Sequence, residues 1–305
     1  MKLKKICIVG YGSHVENTII PSLILKRENL KIVTKKKIEN YETFSNIHIA
    51  LKKLSKDYIF FNSTPPKFHY SLTKLILTSG FNVIVEKPLC LNVNQLDKLN
   101  KIAKKKNLFM FENMMYFHSQ QFKILKKLIV KKNINKIDIK FSIPNFSKKS
   151  FRKNNSLDSS ILYDMGCYPF SLISYFNFNN KNYKVSYTLK NKKITSIEVK
   201  FISKKINFKI TLAIFKKYEN YIKIYIKDNT YYQFNHFFYG KKIKKVNYRY
   251  NVNKKINISK INEENLFKKI FSLSCEKILE LSNKQFFLIK NYLGDLNTIK
   301  KYIKQ

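Results

Sequence analysis

Short apolar runs, each stopped abruptly by glycine, proline, asparagine or charge, recur through the first third of the chain. Ile6-Cys7-Ile8-Val9, Leu30-Lys31-Ile32-Val33, Tyr58-Ile59-Phe60-Phe61, Phe81–Val85 and Leu108–Phe111 have the length and the β-branched or aromatic character of buried strands. Helical spacing fills the intervals. Leu72, Leu75, Ile76 and Ser79 share one side of a helix over 68–79, with Gly80 placed to end it. Leu96, Leu99, Ile102 and Ala103 share one side of a second helix, opened by Asn92 and Gln95 in a capping-box arrangement. Pro21 predicts a kink or restart in the helix that follows the first strand. Strands alternating with helices in this way predict a doubly wound parallel sheet.

After residue 118 the pattern changes. A helix is expected over 119–131, Ile137–Ile143 begins a set of longer strands, and strands recur from 183 to about 250 between Lys- and Asn-rich turns. Apolar residues alternate at Ile206, Phe208, Ile210 and Leu212, and again at Ile222, Ile224 and Ile226, as in an antiparallel sheet with one solvated face. The last forty residues read as two helices broken near Ser282-Asn283. The expected architecture is a Rossmann domain over 1–118 and an α+β domain with an open, mostly antiparallel sheet over 119–305. The C-terminal helices are free to pack back on the first domain. The solvated sheet face is an expected surface for homo-oligomers.

The formal charge of +41 would suggest a nucleic-acid partner, but only Arg27, Arg152 and Arg249 are arginine among 60 basic residues. Bidentate phosphate and base recognition leans on arginine. The lysines here are spread along the whole chain beside abundant Ile, Asn, Tyr and Phe, which reads as compositional drift rather than a basic patch. A nucleic-acid partner is therefore not expected. Cys7, Cys90, Cys167 and Cys275 are scattered, with no paired spacing for zinc or a disulfide frame, so no metal site is expected. No apolar run reaches the length that spans a bilayer. Met1-Lys-Leu-Lys-Lys leads straight into a strand, leaving no room for a signal peptide, so a cytoplasmic protein is expected.

Four stretches carry candidate chemistry. Gly10-Tyr11-Gly12-Ser13-His14-Val15 follows the first strand as a phosphate-binding turn would, with Val15 where a third glycine usually serves helix packing. The alternative is an ordinary strand-to-helix turn. Thr34-Lys35, at the end of the second strand, offers a hydroxyl and a cation where NAD sites commonly place an acid. That favours NADP over NAD, against the alternative of a solvated loop. Asn62-Ser63-Thr64-Pro65-Pro66 with His69 forms a rigid loop after the third strand, and Glu86-Lys87-Pro88 ends the fourth. Hydride transfer to a carbonyl needs a proton and a cation at the developing oxyanion, roles that a tyrosine and a lysine can fill.

Val9-Gly-Tyr-Gly, Ser63-Thr-Pro-Pro with His69, Glu86-Lys-Pro, Glu112-Asn through His118, and Asp164-Met-Gly-Cys-Tyr occur in this order. In that series the chain resembles the glucose-fructose oxidoreductase/inositol dehydrogenase (Gfo/Idh/MocA) family. The resemblance implies an NAD(P)-dependent oxidoreductase acting on a sugar, nucleotide sugar or polyol. It implies Lys87 and Tyr168 as the catalytic pair with Asp164 beside the substrate. It further implies cofactor contacts from Gly10, Tyr11, Gly12, Ser13, His14, Thr34, Lys35, Ser63, Thr64, Pro65, His69, Glu86 and Lys87. Substrate contacts fall to Lys87, Asn113, His118, Asp164 and Tyr168. Three places depart from the family pattern: Val15, Asp158-Ser159-Ser160 where glycines are usual, and Ser119 where a proline is usual. A cofactor- or sugar-binding regulator that has lost turnover is the alternative these departures leave open.

Overall fold

The computed structural model describes residues 5–131, 133–144, 160–178, 182–191, 193–214, 216–226, 230–238, 243–252 and 255–303. The chain forms two compact units. The first runs through Met114 and takes in Phe267–Lys290; the second comprises Met115–Leu266 and the chain from Asn291 on.

The first unit is built on six short strands: β1 (Ile6–Val9), β2 (Leu30–Val33), β3 (Glu42–Phe44), β4 (Ile59–Asn62), β5 (Val83–Val85) and β6 (Met110–Glu112). They lie in the order β3-β2-β1-β4-β5-β6, every pair parallel. Ile8 stands opposite Ile32 on one side and Phe61 on the other, and Phe61 opposite Ile84, so the centre of the sheet is buried on both faces. That explains the continuous apolar runs: with both faces covered, no position is left for a polar alternation. The helices are α1 (Ile47–Lys53), α2 (His69–Thr78) and α3 (Val93–Lys105). At the start of α3 the Asn92 side chain accepts from Gln95 N at 2.9 Å, while Gln95 Oε1 accepts from Leu91 N at 3.0 Å. The reciprocal bond of the expected capping box thus reaches one residue further back than the cap.

Three local expectations are corrected. β3 was not foreseen; its Glu-Thr-Phe sequence has one apolar residue, and pairing with β2 makes it a strand. The helix after β1 is not one kinked α-helix: Ser13 and His14 open it, Val15–Ile19 form a π turn, and Ile20–Ser22 close it as a 3-10 turn containing Pro21. The C-terminal residues form α7 (Leu266–Phe271) and one unbroken α8 (Cys275–Tyr302), with no interruption at Ser282-Asn283. Ser282 Oγ donates to Met110 O at 2.6 Å, and the Gln285 amide pairs with both backbone groups of Glu112, at 3.0 and 3.1 Å. These polar residues close the open edge of β6 rather than ending a helix.

The second unit holds α4 (Gln120–Lys131), α5 (Ile161–Asp164), α6 (Cys167–Tyr175) and an eight-stranded sheet. Its strands are β7 (Ile134–Ile143), β8 (Lys184–Lys190), β9 (Lys193–Ser203), β10 (Ile206–Ile214), β11 (Glu219–Ile226), β12 (Tyr231–Asn235), β13 (Ile243–Val252) and β14 (Lys255–Glu263), in the order β14-β13-β12-β11-β7-β10-β9-β8. Among the described residues only β7 and β10 pair in parallel; the sheet is otherwise antiparallel. Ile137, Ile139, Phe208 and Ile222 face Leu125 and Ile129 of α4 and Leu172 and Ile173 of α6. The alternate positions carry ion pairs such as Lys140–Glu219 and Lys209–Glu198, the half-solvated pattern expected of this sheet. Among the described residues no helix is long and apolar enough to cross a membrane.

Candidate functional site

In open parallel sheets ligands bind beyond the carboxyl ends of the strands. In the first unit the expected residues collect there. Gly10, immediately after β1, has φ +95°, and its N–H donates to Val33 O at 3.0 Å. A side chain at Gly10 would meet Thr64 Cγ2 at 3.1 Å and Ser63 O at 3.2 Å, so the missing Cβ lets the loop after β4 lie against the loop after β1. Ser63 N closes that approach by donating to Val9 O at 3.0 Å. Gly12 differs: nothing lies within 4 Å of where its Cβ would be. Its surface is open, as a backbone that admits a pyrophosphate must be. Ser13 is exposed, and Val15 is buried at 1% exposure, pointing inward and not into that opening.

Beyond β2, Thr34 N donates to Phe44 O at 2.9 Å and Thr34 Oγ1 accepts from Lys36 N at 3.2 Å. Lys35 is exposed, and Lys36 Nζ lies 5.9 Å from the centre of the Tyr11 ring. Tyr11 and the end of β2 therefore border one cationic corner with no acid among Thr34–Lys37.

At the end of β5, Glu86 gathers three partners. His14 Nε2 stands 3.3 Å from Glu86 Oε1, Asn113 Nδ2 donates to the same oxygen at 2.7 Å, and Lys87 N donates to Oε2 at 3.4 Å. Burial pushes the Glu86 carboxyl upward, but His14, Asn113 and Lys87 outweigh it and hold the group below its ordinary value. The carboxylate also orients the Asn113 amide, since only its NH₂ can face an anion. Asn113 Oδ1 is thereby left as a buried acceptor with no partner, the kind of atom that a ligand or a water completes. The phosphate-type loop, β5 and β6 are thus tied through one carboxylate. Lys87 is half-buried, and the Lys87–Pro88 peptide is cis. His69, at the start of α2, is 1% exposed. Its ring nitrogens lie 2.7 Å from Pro88 O and 2.7 Å from Thr64 O, and the side chain meets backbone rather than open space.

Two contributors, Asn62 and Phe267, were not among the expected site residues. Asn62 is fully buried at the end of β4; its Nδ2 donates to His69 O (3.3 Å) and Thr73 Oγ1 (3.2 Å), and its Oδ1 accepts from Thr64 Oγ1 (2.7 Å). An asparagine closing a run as apolar as Ile-Phe-Phe is itself a legible signal. Phe267 of α7 sets its ring 5.5 Å from His14, edge to face. Nothing near Phe267 in the chain marks it.

In the second unit, Asp164 ends α5 and Tyr168 lies in the first turn of α6. Ser160 Oγ accepts from Tyr163 N at 3.4 Å to cap α5; Asp158 and Ser159 lie outside the described residues. Gly166 has a steric reason of its own: a Cβ there would sit 2.2 Å from Leu162 O. The tight passage from α5 to α6 needs a glycine and so sets the three-dimensional offset between Asp164 and Tyr168. Tyr168 is 7% exposed, stacks on Phe238 at 5.4 Å, meets Phe141 and Tyr116 edge-on, and points its hydroxyl at Met115 Sδ, 4.0 Å away. His118 ends the 3-10 turn Met115–His118 and is half-buried; Ser119, next to it, accepts from Phe122 N at 2.9 Å and opens α4. Among the described residues no group of three or more His, Cys, Asp or Glu could hold a metal ion.

Comparison with known proteins follows the same division. Residues 4–114 match the family model described as oxidoreductase family, NAD-binding Rossmann fold. A dTDP-3,4-didehydro-2,6-dideoxy-α-D-glucose 3-reductase from Streptomyces violaceoruber is 27% identical over 113 residues, covering 36% of this chain and 33% of that relative. The chain thus matches about a third of that relative's length. Over the whole chain the likeness is one of fold. KijD10, a 3-ketoreductase from Actinomadura kijaniata solved with NADP and TDP-benzene, has a TM-score of 0.83 at 14% identity, with 97% of each chain covered. The UDP-N-acetylglucosamine 3-dehydrogenase GnnA from Acidithiobacillus ferrooxidans has a TM-score of 0.75 at 11% identity, covering 98% of this chain and 97% of that one. The glycine loop, the strand-end residues and these matches make residues 4–114 similar to the NAD-binding Rossmann domain of that oxidoreductase family, and the chain as a whole similar in fold to these NAD(P)-family enzymes.

Proposed function

We propose that the protein is an NAD(P)-dependent reductase or dehydrogenase that moves a hydride between nicotinamide and a carbonyl or hydroxyl carbon of a sugar, with nucleotide sugars the preferred class and NADP the preferred cofactor. The observation that carries the reading is the convergence of Gly10–His14, Ser63–Thr64 and Glu86–Lys87 at neighbouring strand ends, with the surface of Gly12 open. The preference for NADP rests on Thr34 with Lys35 and Lys36, where an acid would repel a 2′-phosphate. The substrate class rests on the relatives, a dTDP-sugar 3-reductase, a 3-ketoreductase bound to TDP-benzene and a UDP-sugar 3-dehydrogenase.

A bound nicotinamide supplies or accepts the hydride. The remaining work falls to the chain. In the reductive direction Tyr168 Oη gives the proton and Lys87 Nζ stabilises the charge that grows on the substrate oxygen. Glu86, whose carboxyl is held below its ordinary value, stands next to Lys87 as a fixed negative neighbour. The aromatic packing around Tyr168 fixes the direction of its ring, and Asp164, Asn113 and His118 contact the substrate. Ser13, His14, Pro65 and Tyr11 border the cofactor in this reading, with His14 tied back to Glu86. We extend the proposal to a homo-oligomer formed through the ion-paired outer face of the eight-stranded sheet. A monomer mass in sedimentation at micromolar concentration would remove that extension.

Titration with NADPH and with NADH, followed by nucleotide sugars while the nicotinamide absorbance is monitored, tests the main reading. Binding of NADPH in preference to NADH and turnover of at least one nucleotide sugar are expected. Failure to bind either cofactor overturns it; binding without turnover on any sugar reduces it to a cofactor-binding protein.

A further inference from the structure

His69 stands apart from the other candidate residues, because it is buried and both of its ring nitrogens are occupied by backbone. It lies in the first turn of α2, seven residues beyond the end of β4, yet it reaches two loops. Nε2 is 2.7 Å from the carbonyl of Thr64, on the loop that packs against Gly10; Nδ1 is 2.7 Å from the carbonyl of Pro88, immediately after Lys87. The same ring therefore touches the segment that closes on the phosphate loop and the segment that carries the proposed catalytic lysine. Around it the bonding is dense. Asn62 Nδ2 donates to the His69 carbonyl while Asn62 Oδ1 accepts from the Thr64 hydroxyl. Leu89 N, one residue past Pro88, donates to Glu112 Oε1 at 2.8 Å.

Two carbonyl oxygens at this distance ask for two N–H donors, and only the imidazolium has both. Burial pushes the His69 pKa down; the Pro88 and Thr64 carbonyls and the charge of Glu86 pull it up, and Lys87 opposes them, leaving it below the ordinary histidine value. Glu86 and Lys87 are the charged groups that act on the ring. In the neutral ring one contact is a donated hydrogen bond, and protonation completes the second.

We propose that His69 is a positioning residue, a bracket that sets the Thr64 loop and the Lys87–Pro88 segment at a fixed spacing, acting through those two carbonyls and not by touching cofactor or substrate. The inference rests on the proposed NAD(P) site for its functional meaning, while the bracket itself is a property of the fold. It gives a motif histidine remote from any open surface a reason to be histidine. Leucine or phenylalanine would fill the space but hold neither carbonyl, and a buried carbonyl that loses its donor is destabilised.

The two bonds can be separated by side-chain shape. The amide nitrogen of asparagine falls near the position of Nδ1, and that of glutamine near Nε2. His69→Asn should keep the Pro88 contact and lose the Thr64 contact; His69→Gln should do the reverse. The expected result for His69→Asn is NADPH affinity weakened about tenfold, with amide exchange accelerated in the peptide containing Thr64 and unchanged at Leu89. The expected result for His69→Gln is NADPH affinity within about threefold of wild type, with exchange accelerated at Leu89. If both variants lose affinity and protection in parallel, His69 only fills volume and the bracket is overturned. If the wild type binds neither NADPH nor NADH, the functional reading fails. The exchange pattern then still decides the bracket, opposite patterns in the two variants supporting it and matching patterns overturning it. Should one variant fail to fold, the other alone decides the matter, because each has its own expected pattern of exchange.

Discussion

In the first unit the proposed cofactor residues hang from strand ends and are fixed by polar bonds. Glu86 is held by His14, Asn113 and the Lys87 amide, and the loop after β4 is held by Asn62 and by its backbone bond to Val9. In the second unit Tyr168 is fixed by contact. Its ring lies among Phe238, Phe141 and Tyr116, and its helix is set by the close passage of Gly166 over Leu162. The difference teaches how each half should fail. A polar brace is specific about charge and direction, so small chemical changes there should alter affinity and pH response. An aromatic nest is specific about volume, so it should tolerate loss of a hydroxyl and resist added atoms.

The largest expected effect is catalytic and falls on both units alike. Lys87→Met and Tyr168→Phe should each lower kcat by roughly 10³-fold on the substrate that the nucleotide-sugar screen identifies, a size typical of lost acid–base or charge stabilisation. The comparison is sharpened by stability. Tyr168→Phe keeps the ring that packs on Phe238, so its thermal midpoint should stay close to that of wild type. A drop in rate matched by unfolding, or no drop at all, would break the assignment.

Next comes Gly166→Ala. Its Cβ would stand 2.2 Å from Leu162 O, a backbone atom that cannot swing away. A loss of about 3 kcal/mol in unfolding free energy is expected by chemical denaturation. A change under about 0.5 kcal/mol would show that the α5–α6 passage is looser than its geometry implies.

A smaller effect should separate the units by pH. The Glu86 carboxyl titrates below its ordinary value when folded, so it binds fewer protons folded than unfolded above that folded pKa. It therefore contributes stability at neutral pH that fades as the pH falls through its depressed pKa. Glu86→Gln should lower the midpoint at neutral pH and converge on wild type as the pH falls, so that the acid limb of its midpoint-against-pH curve is flatter. An acid limb identical to wild type would mean that Glu86 is not held by its neighbours.

The same contrast explains what could be read from the chain. β1, β4 and β5 were legible because both faces of the parallel sheet are buried, which writes unbroken apolar runs, and because Gly10, Pro65 and Pro88 punctuate their ends. The position of Lys87 just past the end of β5 was legible from its place between such a run and a proline, although lysine is the most abundant cation here. β3 was not, since Glu42-Thr43-Phe44 becomes a strand only by pairing with β2. Ser282 and Gln285 look like a weak point in a helix until β6 is present to receive their side chains. Tyr168 was proposed from a motif, but Phe238 and Phe141, which pack against its ring, come from distant strands and loops with no local mark. Phe267 beside His14 is the same case. Motifs mark the residues proposed to act; the residues that pack around them are dispersed and surface only in three dimensions.

Gly12 offers the most direct test of the central claim, that the strand ends of the first unit form an NAD(P) site. Its missing Cβ faces open space, so Gly12→Val should fold with a thermal midpoint close to wild type while placing two methyl groups where the pyrophosphate must approach. NADPH titration of the two proteins by nicotinamide fluorescence is the measurement. Binding by wild type, with affinity reduced at least about tenfold in Gly12→Val at unchanged stability, is the predicted result. Equal affinity in the two proteins, or no binding of NADPH or NADH by wild type, would contradict it.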